Sequence, residues 1–479
     1  HASHASHASH ASHASHASHA SRPAALRVSF ARMRIEIVTI GDELLLGYTI
    51  DTNGAHLARE LAAVGISVVR RTTVGDGAEE IAAAVEGALE RTGAVITTGG
   101  LGPTADDLTK PAIAALFGRG MHEDAEHLAW MEARWQERFH RPLPPSNRQQ
   151  ALVPEGARKI VNRHGSAPGI WLEDERGRWV AMLPGVPREL RGMLADALLP
   201  LLRERLAAAG GVPPDALPVV RARTLRTTSI AESALADRLG ELARGVDGLP
   251  LAFLPGQEGT DLRLVARGLP AAEAERRLAA GAERLRERAG DFVYGEDADD
   301  LAALVLAACR ARGLTIAVAE SCTGGLLGAR LTAVPGSSDV VLGGTIAYAN
   351  AVKVAALGVA PALLAEAGAV SEGVARALAA GARERHGARV GIGITGVAGP
   401  GGGTAEKPVG TVWIAADVDG AVRAMRNVFV GDRAEIRFRA TQYALDLVRR
   451  ALAGMEPVRG FGAADGIAAT PPRMAAAPR

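Results

Sequence analysis

Cysteine, lysine and aromatic residues are all scarce in this chain of 479 residues. Its two cysteines, Cys309 and Cys322, cannot build a disulfide framework, and the cytoplasm is therefore the expected compartment. Long apolar runs are also missing. The longest charge-free stretches, such as residues 390–405, are interrupted by glycine and proline and fall short of the roughly 18 apolar residues that a membrane-spanning helix needs. The sequence therefore predicts no membrane partner.

Neither sign of charge dominates the chain. It has 54 basic and 53 acidic residues and a formal net charge of +1, and neither sign is concentrated in long blocks. This balance argues against a nucleic-acid partner. Since 48% of the residues are hydrophobic and 22% are charged, a chain of this length is expected to fold into two or three globular domains.

Only four of the basic residues are lysines, namely Lys110, Lys159, Lys353 and Lys407. A coding bias toward arginine explains this shortage without any functional cause. Arginine keeps its proton, whereas a lysine that is removed from water can lose its proton and act as a base. The scarcity therefore draws attention to Lys353 and Lys407, although drift also leaves isolated lysines.

Five segments follow one another along the chain. Residues 1–32 begin with seven copies of His-Ala-Ser. Spaced histidines can bind metal, but an expression artefact, a misread start or a disordered leader is the favoured interpretation, with Met33 as the natural beginning. Three domains are predicted over residues 33–208, 209–296 and 297–455. An Ala/Pro/Gly-rich tail, residues 456–479, is expected to be disordered.

The predicted fold class is α/β multidomain. In the first and third domains, strand-like and helix-like patterns alternate, which favours three-layer αβα folds with largely parallel sheets. Between them, a glycine- and proline-rich run at residues 210–214 marks a boundary. The small α+β linking domain that follows is predicted to contain two strands, at residues 219–224 and 261–266, and two helices.

The segment Ala319-Glu-Ser-Cys-Thr-Gly-Gly325 lies where an apolar strand is predicted to end and a helix to begin. Side chains at this position face the ligand crevice of a parallel sheet, and backbone N–H groups at a helix start can stabilise developing negative charge. Ser321 is therefore a candidate nucleophile beside a potential oxyanion hole. A serine before a helix is, however, often a simple N-cap, so other residues must decide between the two interpretations.

Tyr348 and Lys353 follow another apolar strand and are expected to approach the same sheet edge. A desolvated lysine with a pKa near neutrality could take the proton of the serine, as general-base activation requires. Cys322 is the rival nucleophile. Because its motif contains no partner histidine, Cys322 ranks below Ser321.

The run Gly391-Ile-Gly-Ile-Thr-Gly396 matches G-x-G-x-x-G, which would suggest an NAD-dependent dehydrogenase. Its glycines alternate within a predicted strand, and a glycine-rich loop follows where a helix should open, so the context does not fit that motif. The glycines are expected instead to allow close approach of a phosphate or nucleotide. Arg433, before the last helix, either binds a substrate phosphate or belongs to a plain helix cap.

These segments together resemble the nicotinamide-nucleotide amidase domain of the CinA (competence/damage-inducible protein A) family. The matching segments are Ala319–Gly325, Tyr348-x-Asn-x-x-Lys353, Gly368-Ala-Val-Ser371, Thr395-Gly-Val-Ala-Gly-Pro400, Glu406-Lys-Pro-Val-Gly-Thr411 and Gly431-Asp-Arg433. The resemblance implies hydrolysis of nicotinamide mononucleotide to nicotinate mononucleotide and ammonia, through an acyl-enzyme on serine and without a cofactor. It implies Ser321 as nucleophile, Lys353 as base and Tyr348 as a supporting group. Substrate contacts are expected from Thr323, Gly324, Thr395, Gly396 and Arg433.

A second motif, Thr98-Gly-Gly-Leu-Gly-Pro-Thr-Ala-Asp-Asp-Leu-Thr109, connects a predicted strand to a helix. Its glycines would let a phosphate approach backbone N–H groups, and Thr104 and Thr109 add hydroxyl donors. Asp106 and Asp107 would repel a phosphate unless a cation intervened, so a divalent metal ion is inferred. The alternative is a glycine-rich turn whose acidic residues favour a helix N-terminus.

Together with Gly41-Asp-Glu-Leu44, Asp51-Thr-Asn-Gly54 and Pro184-Gly-Val-Pro187, this motif resembles the MoaB/MogA-type molybdopterin-binding fold found at the front of CinA proteins. The resemblance implies metal-dependent hydrolysis of ADP-ribose, with potassium as an additional candidate ion, and a homodimer. Asp106 and Asp107 would hold the metal or the pyrophosphate. The expected pocket residues are Glu43, Asn53, Gly99, Gly100, Gly102, Thr104 and Thr109.

Two functional interpretations stay open beside the dehydrogenase. The first is a two-activity hydrolase of pyridine-nucleotide recycling, whose partners are the small molecules nicotinamide mononucleotide and ADP-ribose. The second is a molybdopterin- or nucleotide-binding protein of the competence type, in which the first domain holds a ligand without turnover.

Overall fold

A computed structural model of the chain describes residues 33–210 and 216–458. The His-Ala-Ser leader, residues 211–214 of the predicted boundary and residues 459–479 of the predicted tail lie outside the described residues, so the predictions made for them stay predictions. No helix within the described ranges is long and apolar enough to cross a membrane.

The N-terminal region contains eight strands and seven helices within its described residues. The strands are β1 (Arg34–Ile40), β2 (Ser67–Val74), β3 (Ala94–Thr98), β4 (Met121–Glu123), β5 (Leu152–Pro154), β6 (Arg158–Ile160), β7 (Gly169–Glu173) and β8 (Trp179–Leu183). The helices are α1 (Asp42–Leu45), α2 (Thr52–Ala63), α3 (Ala78–Thr92), α4 (Thr109–Leu116), α5 (Ala125–Phe139), α6 (Pro187–Met193) and α7 (Leu199–Gly210), with a 3-10 helix at Pro145–Ala151 and a π-helical turn at Leu194–Leu198.

Six of these strands form one sheet in the order β2-β1-β3-β8-β7-β6. Strands β2, β1, β3 and β8 are parallel, and β7 and β6 continue the sheet in antiparallel pairs. Successive side chains of a strand point to opposite faces. Ile35 and Ile37 of β1 accordingly pack on one face with Leu57 of α2, while Val38 packs on the other with Ile81 of α3. Helices therefore cover both faces, as a three-layer fold requires.

The linking region has a four-stranded antiparallel sheet of order β10-β11-β9-β12. Its strands are β9 (Pro218–Thr227), β10 (Leu251–Pro255), β11 (Thr260–Pro270) and β12 (Val293–Glu296), and its helices are α8 (Glu232–Leu239) and α9 (Ala271–Ala289), with 3-10 helices at Gly240–Arg244 and Gly290–Phe292. The two predicted strands correspond to β9 and β11. The strands β10 and β12 were not predicted. Strand β12 has only four residues, and β10 follows Pro250 and ends at Pro255, so that prolines made its run resemble a loop.

The C-terminal region contains a five-stranded sheet of order β14-β13-β15-β16-β17. Its strands are β13 (Ile316–Glu320), β14 (Val341–Ile346), β15 (Val390–Gly396), β16 (Thr411–Val418) and β17 (Ala421–Val428). Its helices are α10 (Leu301–Arg310), α11 (Leu326–Thr332), α12 (Asn350–Leu357), α13 (Pro361–Ala367), α14 (Glu372–Arg385) and α15 (Arg433–Leu452), with a 3-10 helix at Ser337–Asp339. Strand β13 lies in the middle of three parallel strands, and β16 and β17 are antiparallel.

Helices also cover both faces of this sheet. Ile316 of β13 and Ile392 of β15 belong to a core cluster with residues of α10 and α15, whereas Ala317 packs with Leu378 of α14 on the opposite face. The predicted α/β multidomain fold, with αβα layers at both ends and a small α+β unit between them, is thus confirmed.

The glycines of β15 explain how closely α14 approaches the sheet. A Cβ atom at Gly391 would lie 2.0 Å from the carbonyl oxygen of Ala379, and one at Gly393 would lie 2.3 Å from that of Ala375. At Gly396 the nearest atom would be the carbonyl oxygen of Thr411, at 2.7 Å. The prediction that these glycines make room for a phosphate or nucleotide is therefore wrong, because protein backbone occupies that space. The sequence could not show this, since it does not reveal which face of a strand a helix covers.

Candidate functional sites

Ser321 lies at the carboxyl end of β13, between the two neighbouring strands. Its backbone N–H donates to the carbonyl oxygen of Ile394 on β15, at 3.0 Å, and the preceding Glu320 accepts a hydrogen bond from the N–H of Ala347 at 2.7 Å. Ala347 directly follows β14. The chain segments that carry the predicted nucleophile and the predicted base are thus joined at one edge of the sheet.

Lys353 is buried beside this edge, with 1% of its surface exposed. Its Nζ atom donates to the carbonyl oxygens of Ala347, at 2.8 Å, and Tyr348, at 3.0 Å. Burial lowers the pKa of the Lys353 ammonium, because desolvation disfavours the charged form. A neutral amine has two N–H bonds and one lone pair. With both N–H groups given to carbonyls, the lone pair of neutral Lys353 would stay free to accept a proton.

The predicted contact between the two side chains is indirect in this structure. Lys353 Nζ and Ser321 are connected through the backbone of Ala347, which binds Nζ on one side and Glu320, next to Ser321, on the other. Within the described residues no hydrogen bond joins Ser321 Oγ to Lys353 Nζ. Apo catalytic sites often have such loose contacts, which tighten when substrate binds.

Cys322, the rival nucleophile, is buried in the apolar core. Burial raises the pKa of its thiol to about 12, so the thiol keeps its proton at neutral pH. Because the thiolate is the reactive form of cysteine, this environment favours Ser321 over Cys322.

The helix start after Ser321 is already occupied by a side chain. The buried Glu320 carboxylate accepts hydrogen bonds from the backbone N–H groups of Gly325, Leu327 and Gly328 at 2.8–3.1 Å. The prediction that free N–H groups at the start of α11 form an oxyanion hole is therefore wrong. The sequence shows a glutamate at that point but not that its side chain turns back onto the helix.

Two other N–H groups are better placed for that role. The backbone N–H groups of Cys322 and Thr323, which directly follow Ser321, donate to no backbone carbonyl in the described part of the chain. The buried Thr323 Oγ1 likewise has no hydrogen-bond partner there. Thr323 was predicted as a substrate contact; its side chain is fully buried, so that part of the prediction stays untested.

Arg433, at the start of α15, bridges two loops of this edge. Its Nη2 atom donates to the Tyr348 hydroxyl at 3.0 Å, and its Nη1 atom donates to the carbonyl oxygen of Gly399 at 2.7 Å. The helix cap is supplied instead by Asp432, whose side chain forms a capping box with Glu435. Asp432 therefore caps the helix, and Arg433 is not needed for the cap. Arg433 and Tyr348 are both exposed, so a substrate in solvent could reach them.

The other predicted substrate contacts are differently engaged. Thr395 is buried, and its hydroxyl donates to the carbonyl oxygen of Ala369 at 2.7 Å. This hydrogen bond connects β15 to the loop before α14. Gly324 has a φ of +58°, which lets the turn after Ser321 close. Arg437 was missed, although it donates to the carbonyl oxygen of Thr323 at 2.6 Å. Its position four residues after Arg433, on the same helical face, was the available signal.

The glycine-rich loop of the N-terminal region lines a cavity of about 450 Å³. Of the predicted pocket and metal residues, seven line it, namely Glu43, Asn53, Gly99, Gly100, Gly102, Asp106 and Asp107. Thr104 and Thr109 do not. Thr109 is fully buried and its hydroxyl donates to the carbonyl oxygen of Gly99 at 2.9 Å, so it supports the loop and was wrongly predicted to face a ligand.

Asp107 also stabilises the loop. Its Oδ1 atom accepts from the N–H of Gly102 at 2.7 Å, and its Oδ2 atom accepts from the N–H and the hydroxyl of Thr104 at 2.8 and 2.5 Å. Thr104 is thereby engaged with Asp107 and not directed at a ligand, which its sequence position could not show. Asp106 stands exposed at the rim of the cavity.

The chemistry of the cavity lining suits a hard cation. Every ionisable residue that lines it is a carboxylate, and these are Glu43, Asp51, Asp76, Asp106, Asp107 and Glu189. Oxygen ligands of this kind are those that Mg²⁺ and Ca²⁺ prefer. Within the described residues, however, no group of three or more His, Cys, Asp or Glu side chains is arranged to hold a metal ion. The assignment of Asp106 and Asp107 as metal ligands stays a prediction.

The side-chain amide nitrogen of Asn53, at the start of α2, is hydrogen-bonded, whereas its amide oxygen is not. Its Nδ2 atom donates to Thr98 Oγ1 at 3.3 Å and to the carbonyl oxygen of Gly185 at 2.7 Å. Its Oδ1 atom is buried without a partner. Since Asn53 lines the cavity, it offers a fixed acceptor to a ligand.

Comparison with known families matches nearly all of the described chain. Three family models cover it in order: "Probable molybdopterin binding domain" over residues 36–204, "Damage-inducible protein CinA KH domain" over residues 222–295 and "CinA C-terminal domain" over residues 298–452.

Individual relatives extend over almost the same length. A "CinA-like protein" of Gemmatimonas aurantiaca is 68% identical over 421 residues, which are 88% of this chain and 97% of that protein. A protein of Moorella thermoacetica, named as competence-damage inducible, is 45% identical over 88% of this chain and 99% of its own length. Among solved structures, a competence/damage inducible protein from Agrobacterium tumefaciens is 41% identical, covers 32% of this chain and 93% of its own, and has a TM-score of 0.31.

Proposed function

The chain belongs to the CinA family, and on that premise we propose that its C-terminal domain hydrolyses nicotinamide mononucleotide to nicotinate mononucleotide and ammonia. The observation that carries this proposal is the environment of Lys353. Its ammonium is buried, its pKa is lowered by desolvation, and two carbonyls hold it beside the strand end that presents Ser321. A serine next to a lysine that can be neutral is a nucleophile with a base.

In the first half-reaction, the Ser321 Oγ atom attacks the carboxamide carbon while Lys353 accepts the hydroxyl proton. The N–H groups of Cys322 and Thr323 are the proposed donors that stabilise the negative charge developing on the carboxamide oxygen. The tetrahedral intermediate then collapses: the C–N bond breaks, Lys353 returns the proton to the nitrogen, and ammonia leaves. An ester between Ser321 and the nicotinate carbonyl remains.

In the second half-reaction, water attacks this ester. Lys353 takes a proton from the water and returns it to Ser321 Oγ as the ester bond breaks, which releases nicotinate mononucleotide. Arg433 is the proposed partner of the substrate phosphate, because its guanidinium faces solvent beside Tyr348 and can form charge-assisted hydrogen bonds. Tyr348 orients that guanidinium through its hydroxyl.

For the N-terminal domain we propose metal-dependent hydrolysis of ADP-ribose. The carboxylate-lined cavity and the glycine loop support this activity. A bound divalent cation would neutralise phosphate charge and activate water, and Asp106 and Glu43 are the carboxylates proposed to hold it. The second candidate for this domain is ligand binding without turnover, which the unpaired buried acceptor of Asn53 at the cavity would serve without any catalytic group.

The test is a product screen on the full-length protein by mass spectrometry. The protein is incubated with nicotinamide mononucleotide and, separately, with ADP-ribose, each with and without Mg²⁺. We expect nicotinate mononucleotide and ammonia in both metal conditions, and AMP and ribose 5-phosphate only with the metal. Failure of a folded sample to release ammonia would remove the amidase proposal, whereas ADP-ribose binding without cleavage would select the binding alternative for the N-terminal domain.

A further inference from the structure

One buried carboxamide in the N-terminal cavity has no hydrogen-bond partner among the residues that the structure describes. Gln150 has 6% of its surface exposed and lines the cavity. Its Oε1 atom is buried without a hydrogen bond, and among the described residues its side-chain amide donates to nothing. Buried polar groups in folded proteins are nearly always hydrogen-bonded. Gln150 is therefore a candidate for a residue whose partner is a ligand.

The backbone that carries Gln150 is held in place. Lys110 of α4, itself 1% exposed, extends its Nζ atom to the carbonyl oxygens of Gln149, at 2.8 Å, and Gln150, at 3.3 Å. These residues belong to the 3-10 helix Pro145–Ala151. Since α4 begins directly after the glycine loop, Lys110 connects the loop to the segment that presents Gln150, and the free carboxamide is positioned relative to that loop.

The chemistry of the lining indicates what this carboxamide would bind. Asn53 offers only an acceptor, because its amide hydrogens are already used, whereas Gln150 offers a donor and an acceptor side by side. Phosphate oxygens present only acceptors, and the carboxylates around the cavity repel them. A nucleobase is neutral, has flat apolar faces that suit lining residues such as Ile50 and Pro184, and presents adjacent donors and acceptors. Glutamine pairs with adenine in this two-point manner.

We propose that Gln150 binds the adenine base of the nucleotide in the N-terminal cavity, with its carboxamide oxygen accepting from the amino group and its carboxamide nitrogen donating to a ring nitrogen. The proposal rests on the nucleotide-binding function proposed above for this domain. It assigns base recognition to a residue outside the glycine loop, on a segment that Lys110 fixes.

The experiment compares dissociation constants by isothermal titration calorimetry on the full-length protein. ADP-ribose is titrated in a chelator, and AMP and ribose 5-phosphate are titrated both in the chelator and in Mg²⁺. The probes are ADP-ribose and its two halves, AMP and ribose 5-phosphate, which differ from each other by the base. We expect the wild type to bind AMP about 10- to 100-fold more tightly than ribose 5-phosphate, the range that a two-point base contact provides. Gln150→Leu should lose that advantage and weaken ADP-ribose binding by a similar factor.

Gln149→Leu is the matched control, because Gln149 lies in the same 3-10 helix and binds the same Lys110 but does not line the cavity. It should bind all three probes like the wild type. Gln150→Asn keeps the carboxamide but shortens the side chain by one methylene. It should also lose the preference for AMP over ribose 5-phosphate, and it replaces Gln150→Leu if that variant folds poorly.

The outcomes separate the two proposals. If the wild type binds ADP-ribose but Gln150→Leu, or Gln150→Asn in its place, retains the preference for AMP, base recognition by Gln150 is overturned while nucleotide binding stands. An equal affinity of the wild type for AMP and ribose 5-phosphate would likewise overturn base recognition by Gln150. If the wild type binds neither ADP-ribose nor AMP in any of these conditions, both this inference and the proposed function of the domain fall.

Discussion

Lys110 and Lys353 make the same kind of contact in two different domains. Each is about 1% exposed, and each donates from Nζ to the carbonyl oxygens of two successive residues. Burial lowers the pKa of both ammonium groups, that of Lys110 to about 8. The neighbours differ: Lys353 is held at the strand end that carries Ser321, whereas Lys110 clamps a 3-10 helix beside an open cavity.

A buried lysine with a lowered pKa is therefore not by itself a catalytic base. Desolvation shifts the pKa of any lysine removed from water, and a structural clamp needs burial as much as a base does. The two lysines differ in whether a group that can donate or accept a proton lies beside the ammonium. We therefore assign general-base chemistry to Lys353 and a positioning role to Lys110, and the predictions below test that division.

The largest expected effect is at the proposed nucleophile of the Lys353 site. Ser321→Ala removes the atom that forms the acyl-enzyme and should lower kcat for nicotinamide mononucleotide about 10³-fold or more, measured as ammonia release. Cys322→Ala should keep turnover within a few-fold, because the thiol is protonated and buried. A comparable loss in Cys322→Ala, with the fold intact, would transfer the nucleophilic role to the cysteine.

Substitution of the two lysines tests the comparison directly. Lys353→Met and Lys353→Arg should each lower deamidation by about 10²- to 10⁴-fold, since neither side chain can accept a proton at neutral pH. Lys110→Met should leave deamidation near the wild-type rate. If Lys353→Arg retained wild-type turnover, lysine could not be the base. The wild-type rate should rise with pH as Lys353 deprotonates, with a midpoint below the ordinary pKa of lysine.

A smaller effect separates the two adjacent aspartates of the glycine loop. Asp107→Ala removes three hydrogen bonds within the loop and should weaken ADP-ribose binding about 10-fold even in a chelator. Each hydrogen bond contributes on the order of 0.5–1.5 kcal/mol to stability, and part of that loss lowers the affinity for the ligand. Asp106→Ala should leave that affinity unchanged and lower only the metal-dependent hydrolysis. Calorimetry in EDTA and product formation in Mg²⁺ measure the two quantities. Wild-type affinity of Asp107→Ala in EDTA would contradict the supporting role.

The last prediction concerns the pH dependence of stability at Lys110 and involves no ligand. Because its pKa is about 8 in the folded chain and about 10.4 when unfolded, the unfolded state binds more protons between these values, and the free energy of unfolding should rise with pH by up to about 3 kcal/mol across that window. Below pH 8 both states are protonated and this contribution is flat. Lys110→Met should lack the rise, while titration of other groups cancels in the difference.

Urea unfolding at pH 8 and pH 10, followed by tryptophan fluorescence, measures this difference. Four of the five tryptophans, Trp130, Trp135, Trp171 and Trp179, lie in the N-terminal domain, so the signal reports mainly on that domain. Identical pH dependence in wild type and Lys110→Met would mean that Lys110 is not held in a low-dielectric site.

The family and the fold class were predicted from the sequence and are confirmed. The alternation of strand and helix patterns was clear where strands are buried on both faces: in Arg34–Ile40 every residue after the first is buried, and Ala94–Thr98 is buried throughout. Short elements were missed: β10, β12, β17, α12 and α13 are too brief, or too mixed in composition, for periodicity to mark them. The residues proposed for the amidase chemistry remain predictions that the experiments above test.

What the sequence determined by itself was the chemistry available at each strand end: a serine, a lysine and an arginine in one domain, and glycines with adjacent carboxylates in the other. These follow from local order along the chain, since the end of a parallel strand and the start of the next helix always meet at one edge of a sheet. How these groups are used depends on contacts between segments that are far apart in the sequence. No local pattern encodes the direction of side chains from distant segments. Those directions decide whether Glu320 or an oxyanion occupies a helix start, whether Asp107 faces the loop or a metal, and whether Gln150 has a partner.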